Sequence, residues 1–114
     1  MVSGRLLGRH ADCIVVPMRN YPASAICGVE CINVDGVKQT FGNKGVLTLG
    51  NDLDPTLPHL VCEGWACGVG LFLQYHGNVA IYCAFGKGKL DAVAQQIEAR
   101  YPARCIVICR EQDA

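Results

Sequence analysis

Short apolar runs alternate with amphipathic stretches in the second half of the chain. Three runs, at residues 59–62, 79–83 and 105–109, are apolar throughout and predict strands. Before the third run, apolar side chains recur with a 3.6-residue period, which predicts a helix that Pro102 ends. Its apolar members are Leu90, Val93, Ala94, Ile97 and Tyr101, with Asp91, Gln95, Glu98 and Arg100 opposite. Strands that are apolar throughout are typical of a parallel sheet covered on its faces, so we expect an α/β fold.

Another helix is predicted between the first two apolar runs. It extends from Trp65 to about His76, and its predicted apolar face consists of Val69, Phe72, Leu73 and His76. The order strand, helix, strand, helix, strand follows from these patterns. Such an order places the ends of all three strands at one edge of the sheet, where α/β proteins gather their functional groups.

The first half of the chain has the pattern of β structure separated by turns. Strands are predicted at residues 13–17, 25–33, 37–41 and 46–49. The dipeptide Asp35-Gly36 between two of them is a strong hairpin signal, and aspartates and prolines mark a loop at 50–58. We therefore expect a small β-rich hairpin segment, residues 1–58, followed by an α/β core, residues 59–114, in one compact unit.

The balance of charge bears on nucleic-acid binding. The chain of 114 residues has ten basic and ten acidic side chains, and its pI is about 6.8. Proteins that coat nucleic acid carry a strong basic excess, so this composition argues against that class. A metal enzyme that acts on nucleic acid is less constrained, because its cations help to neutralise phosphate. No apolar run approaches the ~20 residues of a membrane span, so we expect no membrane partner.

Eight cysteines are distributed along the chain, mostly inside apolar runs. In such runs a cysteine acts as a small core hydrophobe, and we expect buried, reduced thiols. Zinc and disulfides remain as alternatives, although the spacings are not the paired two-residue knuckles of zinc sites. The first residues are interrupted by Arg5, Arg9, His10 and Asp12 and do not form the apolar core of a signal peptide. The cytoplasm is therefore the predicted compartment.

Three acidic residues follow predicted strands. Glu63 comes directly after the first apolar run, and Glu111 and Asp113 come just after the third. If those two strands are neighbours, all three carboxylates meet at one edge of the sheet. Carboxylates placed close together repel one another unless a cation lies between them, and Mg²⁺ prefers oxygen ligands of this kind. The alternative is that they are solvated acids at strand ends.

Several short motifs follow one another along the chain. They are Val-Cys-Glu-Gly-Trp-Ala-Cys at 61–67, Ala-Phe at 84–85, Gly-Lys-Leu-Asp-Ala-Val-Ala at 88–94, and Tyr-Pro at 101–102 before the run 106–109. In order and spacing they resemble the Toprim domain of phage- and plasmid-type DNA primases. Residues 16–19, the hairpin and 46–49 are similar to the β-rich segment that precedes Toprim in these primases. The resemblance covers roughly residues 14–113 and implies a Toprim-like, Rossmann-like parallel sheet flanked by helices.

The resemblance also implies a function. In this family a glutamate after the first strand takes part in general acid/base chemistry, which implies that role for Glu63. An Asp-x-Asp pair after the third strand holds magnesium, which implies a metal-binding role for Glu111 and Asp113. The implied activity is Mg²⁺- or Mn²⁺-dependent nucleotidyl transfer or phosphodiester chemistry in DNA replication, with primase-type or nuclease action on DNA and nucleotides.

The chain departs from the family pattern near the implied site. Glu111 stands where aspartate is usual, Arg110 where a small residue is expected, and Lys89 in place of asparagine. Lys87, Lys89 and Arg110 are expected along one rim of the site, where they contact phosphates. Alternatively, Arg110 pairs with Glu111 or replaces a metal. The family continues beyond the acidic motif, so we expect a fragment, a stand-alone remnant or one piece of an assembly.

Three hypotheses of function follow. The first is a catalytic Toprim centre in primer synthesis or strand cleavage. The second is a non-catalytic Toprim-like module of a phage or mobile element that binds nucleic acid or a replication protein. The third is a phage-encoded interaction protein that has kept only the scaffold. Binding of Mg²⁺ that depends on Glu63 separates the first from the other two.

Overall fold

In a computed structural model, the described residues form a mixed α/β structure of two sheets and two helices. The structure describes residues 2–6, 9–21, 23 and 25–110, with side chains from residue 13 onward. The strands are β1 (Val2–Leu6), β2 (Arg9–Arg19), β3 (Ile26–Asn33), β4 (Lys38–Gly42), β5 (Leu47–Leu49), β6 (His59–Cys62), β7 (Ala80–Cys83) and β8 (Ile106–Cys109). The helices are α1 (Trp65–Gln74) and α2 (Leu90–Arg100), and a 3-10 turn, Lys87–Lys89, precedes α2.

The first unit, Met1–Gly45, contains an antiparallel sheet in which β1, β2, β3 and β4 pair in chain order. The predicted turn between β3 and β4 is present. Gly36 has a φ of +80°, a conformation that glycine adopts without steric cost. The Asn33 side chain accepts hydrogen bonds from the backbone N–H groups of Asp35 and Val37, both at 2.9 Å. Local turn chemistry therefore sets the register of this hairpin.

The second unit, Val46–Ala114, contains a four-stranded sheet with the order β5-β7-β6-β8. Strand β6 pairs in parallel with both β7 and β8, which confirms the predicted parallel α/β arrangement. Strand β5 pairs antiparallel with β7, so the sheet is mixed. The contacts divide the chain between Gly45 and Val46, whereas the sequence pattern placed the division after residue 58.

The crossovers from β6 to β7 and from β7 to β8 move in opposite directions along the sheet. Right-handed crossovers then place α1 and α2 on opposite faces. Helix α1 packs against β5 and β7, and α2 packs against β6 and β8. Because side chains alternate along a strand, His59 and Val61 lie on one face of β6 and Leu60 and Cys62 on the other.

The predicted apolar face of α2 is confirmed, since Leu90, Val93 and Ile97 are buried. The predicted face of α1 is partly wrong. Leu73 is 68% exposed, and His76 lies beyond the end of the helix with a φ of +54°. Gly68, which the hydrophobic pattern could not mark, is the buried residue of α1. Neither helix in the described part of the chain has the length and hydropathy needed to cross a membrane.

Candidate functional site at the carboxyl edge of the second sheet

The register of the parallel strands places their carboxyl ends at one level. Cys62 is directly opposite Cys83 on one side and Cys109 on the other. The pairing of β6 with the segment after β7 continues past the strand ends. The backbone N–H of Ala84 donates to the Cys62 carbonyl at 2.9 Å, and that of Gly86 donates to the Glu63 carbonyl at 3.1 Å. The backbone at Glu63 is therefore held in place.

Glu63 is the first residue after β6, and its side chain is partly exposed. Gly64 has extended backbone at the N-cap of α1, and the helix begins at Trp65. No acidic side chain occupies the first turn of this helix. The Glu63 carboxylate therefore stands at a strand end beside the positive end of a helix, where the backbone dipoles favour negative charge.

The three acids can meet at one edge only if the strands they follow are neighbours, and β6 does pair with β8. Arg110 follows β8 directly and lies at the same sheet edge as Glu63. Glu111 and Asp113 lie outside the described residues. Among the residues that are described, no group of three or more His, Cys, Asp or Glu side chains is placed to hold a metal ion.

Phe85, two residues after the end of β7, has a left-handed backbone conformation with a φ of +58°. The side chain is 3% exposed, so its burial offsets the cost of the backbone conformation. A bulky residue in this region costs about 1–3 kcal/mol, and such strain is concentrated at functional sites. The chain then passes through Gly86 into the 3-10 turn and α2.

The three basic residues predicted at the rim are all exposed. Lys87 and Lys89 lie in the 3-10 turn that follows β7. The Arg110 guanidinium donates a hydrogen bond to the Asp91 carboxylate at 2.7 Å, and Asp91 lies in the first turn of α2. Sequence reasoning expected Glu111 or phosphate as the partner of Arg110 and treated Asp91 only as part of the solvent face. Arg110 and Asp91 both lie at the carboxyl edge of the second sheet. That shared position was the sequence signal that could have indicated the pair.

Each of the three parallel strands ends in a cysteine. These residues, Cys62, Cys83 and Cys109, are in register at the sheet edge that carries Glu63. The Sγ atoms of Cys62 and Cys83 are 3.8 Å apart, and both residues are fully buried. Burial, with a smaller contribution from Cys62, raises the pKa of the Cys109 thiol above its ordinary value. Each of the eight cysteines, all among the described residues, is a thiol. A raised pKa disfavours the thiolate, so Cys109 is not an activated nucleophile.

The opposite, amino-terminal edge of the same sheet carries a buried histidine that sequence reasoning did not single out. His59 is 2% exposed. Its Nε2 lies 3.3 Å from the carbonyl oxygen of Asp54, and its Nδ1 lies 3.3 Å from the hydroxyl of Tyr82. A carbonyl oxygen only accepts hydrogen bonds, so the neutral ring carries its proton on Nε2 and Nδ1 accepts from the Tyr82 O–H. Burial lowers the pKa of His59.

No protein-family model, curated protein or solved structure matches this chain. The class of protein is therefore defined by its own architecture, an α/β sheet with an acid and basic side chains at the carboxyl edge. Open α/β sheets bind their ligands in that position, outside the carboxyl ends of the strands. The residues at this edge are accordingly the first candidates for a function.

Proposed function

We propose that the second unit is a Toprim-like module of primase type, with Mg²⁺-dependent nucleotidyl-transfer or phosphodiester activity on DNA. The observation that carries the proposal is the parallel pairing of β6 with β8, with Cys62 opposite Cys109. Because of this pairing, Glu63 and Arg110 lie at the same sheet edge, and Glu111 and Asp113 follow Arg110 in the sequence. The resemblance of residues 61–67 and 84–94 to the primase motifs supports the same assignment.

The donor set fits a hard divalent cation, because all three proposed side chains offer carboxylate oxygens. In the proposed arrangement, Glu111 and Asp113 hold Mg²⁺ or Mn²⁺, which when bound polarises phosphoryl oxygens. Glu63 adds a third carboxylate, whose negative charge favours the cation, and it accepts the proton of the attacking hydroxyl as a general base. Its partly exposed side chain and its anchored backbone are compatible with that role.

The basic residues would orient the substrate. Lys87 and Lys89 project from the turn after β7, and the helix that follows directs backbone N–H groups toward its N-terminus. Lysine ammonium groups bind phosphate as point charges. Arg110 is held by Asp91, so it adds positive charge to this edge without a fixed position over Glu63.

The test is calorimetric titration of MgCl₂ and MnCl₂ into the wild type, Glu63→Gln and the control Glu98→Gln. Glu98 is exposed on α2, so its substitution removes one charge without touching the proposed site. We expect binding in the wild type and in Glu98→Gln, and binding that is at least about tenfold weaker in Glu63→Gln. Absence of binding in the wild type, or equal binding in all three proteins, would contradict the proposal.

A second candidate is a non-catalytic module that binds nucleic acid or a replication partner. The observation in its favour is the Arg110–Asp91 ion pair, which places a cation close to the proposed metal site. For this function, Glu63→Gln leaves DNA binding unchanged, whereas Lys87→Gln with Lys89→Gln weakens it and lowers its salt dependence. Filter binding of single-stranded DNA at two salt concentrations measures these effects, and the calorimetric titration with Mg²⁺ distinguishes this function, which needs no metal, from the first.

A further inference from the structure

A cleft of about 530 Å³ lies at the amino ends of β6 and β8, away from the edge that carries Glu63. One wall is the segment from Pro55 to His59, and the other runs from Arg100 to Cys105, at the end of α2. Both walls belong to the second unit. A cleft of this volume is within the size range of small-molecule sites in proteins.

Among the described residues, the charged side chains that line the cleft are Arg100 and Arg104, and none is an aspartate or glutamate. The Arg104 guanidinium donates to the backbone carbonyls of Asp52 and Leu53, the latter at 2.9 Å. Carbonyl oxygens are neutral, so these bonds orient the guanidinium without cancelling its charge. Arginine has five N–H donors, which leaves donors for a ligand.

The ring of Tyr101 supports both guanidinium groups. Arg104 stacks with its central carbon 3.7 Å from the ring centroid, and that of Arg100 lies 5.0 Å from it. The nearest approach of Arg100 to the Asp52 carboxylate is 3.9 Å, at the limit of an ion pair. Planar guanidinium groups held by an aromatic ring are suited to oxyanions with several acceptor oxygens, such as phosphate.

Of the two acids in the loop before the cleft, Asp52 lies near Arg100, whereas Asp54 is held by hydrogen bonds within the loop. Asp54 accepts hydrogen bonds from the backbone N–H of Thr56 at 2.9 Å and from its hydroxyl at 2.6 Å. These bonds, from the hydroxyl first, hold the pKa of Asp54 below its ordinary value. The Asp54 carboxylate therefore has partners of its own, and neither it nor Asp52 lines the cleft.

Apolar side chains make up much of the remaining lining. They are Pro55, Leu57, Pro58, Pro102 and Ala103, beside Thr56, His59 and Cys105. Prolines and short side chains lose little conformational entropy when a ligand is bound. Such walls can cover a flat apolar body, while the two guanidinium groups stand at the end of α2. A phosphate ester needs both features, an oxyanion site for its phosphate and an apolar wall for its organic part.

We propose that this cleft binds a small phosphate ester with a flat body, of the size of a mononucleotide. The phosphate accepts hydrogen bonds from Arg100 and Arg104, and the body lies against the proline-lined walls. The site is independent of Glu63 and of any metal, because it uses neither. It would hold an effector or a substrate of a reaction other than the one proposed for the carboxyl edge.

Three probes separate the parts of this proposal: AMP, adenosine and inorganic phosphate, each titrated into ¹⁵N-labelled protein without divalent metal. We expect amide shifts confined to residues 52–59 and 100–105, with AMP bound at least about tenfold more tightly than either other probe. Equal affinity for AMP and inorganic phosphate would overturn the assignment of an ester. Absence of AMP binding, or shifts centred on residues 84–92, would overturn the site.

Matched arginine variants test the guanidinium contacts. Arg100→Gln removes the less constrained of the two groups, and we expect it to weaken AMP binding about tenfold or more. Lys38→Gln, an exposed position of β4 in the first unit, serves as the charge control and leaves AMP binding unchanged. Arg104→Lys keeps a charge but loses the planar fork, and circular dichroism establishes that it is folded. Wild-type AMP affinity in both Arg100→Gln and folded Arg104→Lys would overturn the proposal.

Discussion

A Cβ atom built on Gly68 would lie 2.5 Å from the Sγ atom of Cys83 and 3.3 Å from that of Cys62. Real Cβ contacts are not that short, so α1 approaches the sheet closely only because residue 68 is glycine. We predict that Gly68→Ala lowers the free energy of unfolding by about 1–3 kcal/mol, through overpacking of the buried thiols. Urea denaturation followed by circular dichroism measures the change.

Gly70 provides the matched control in the same helix. It is exposed, and a Cβ there would meet nothing within 4 Å. Gly70→Ala should therefore raise the free energy of unfolding by up to about 1 kcal/mol, through helix propensity alone. If overpacking against the Cys83 thiol is the cause, Cys83→Ala should partly restore the free energy of unfolding that Gly68→Ala loses. Equal effects of the two glycine substitutions would contradict it.

The lowered pKa of His59 predicts a loss of stability in mild acid. The unfolded state binds a proton near pH 6.5, whereas burial lowers the pKa in the folded state. The unfolded state therefore carries more protons below that pH, and the free energy of unfolding falls as the pH is lowered. The slope is at most about 1.4 kcal/mol per pH unit for one group. Urea titrations between pH 8 and pH 5 measure it.

Two histidine variants test whether His59 causes this dependence of the free energy of unfolding on pH. His59→Gln lacks the titrating ring, so its stability should be flatter than the wild type's in this pH range. His76 is exposed, and asparagine tolerates its positive φ, so His76→Asn serves as the control and keeps the wild-type slope. An unchanged slope in His59→Gln would show that another group is responsible.

Tyr101 carries a buried hydroxyl with no hydrogen-bond partner in the described part of the chain. A buried polar group without a partner keeps its desolvation cost of about 1–3 kcal/mol. Tyr101→Phe removes that group and keeps the ring on which Arg104 stacks. We predict an unchanged or higher melting temperature, measured by calorimetry. A clear decrease would mean that the hydroxyl has a partner.

The Arg110–Asp91 pair should contribute little to stability, because both side chains are more than half exposed. Exposed pairs contribute less than about 1 kcal/mol, and a first-turn aspartate adds a favourable helix-dipole interaction of similar size. Asp91→Asn should therefore cost about 1 kcal/mol at low salt and less in 1 M NaCl. Glu98→Gln, on the same helix but without this pair, is the comparison for the salt effect.

The parallel strands and α2 could be predicted from sequence because their signals are local. A fully apolar run ends at Cys62, and Pro102 follows the helix. The partner of β5 could not be predicted, since a three-residue strand contains no information about the strand it joins. The packing of Gly68 could not be predicted for another reason. A hydrophobic period is read from side chains, and the most closely packed position of α1 has no side chain.

The candidate sites divide in the same way. The position of Glu63 at a strand end could be predicted, whereas the sequence left open whether β6 and β8 are neighbours. The contacts of Arg104 with the carbonyls of Asp52 and Leu53 join residues about fifty positions apart, so no local pattern indicates them. The hydrogen bond between His59 and Tyr82 depends on the register of two paired strands.

Because the cysteine thiols differ in burial, their rates of alkylation can report local opening of the structure. Cys105 is exposed, whereas Cys62 and Cys83 are fully buried where their strands end. An alkylating reagent would label Cys105 in the native protein, and the buried pair only in molecules whose sheet edge has opened. Mass spectrometry of pulse-labelled protein would therefore give the opening rate of the region behind Glu63, without any engineered probe.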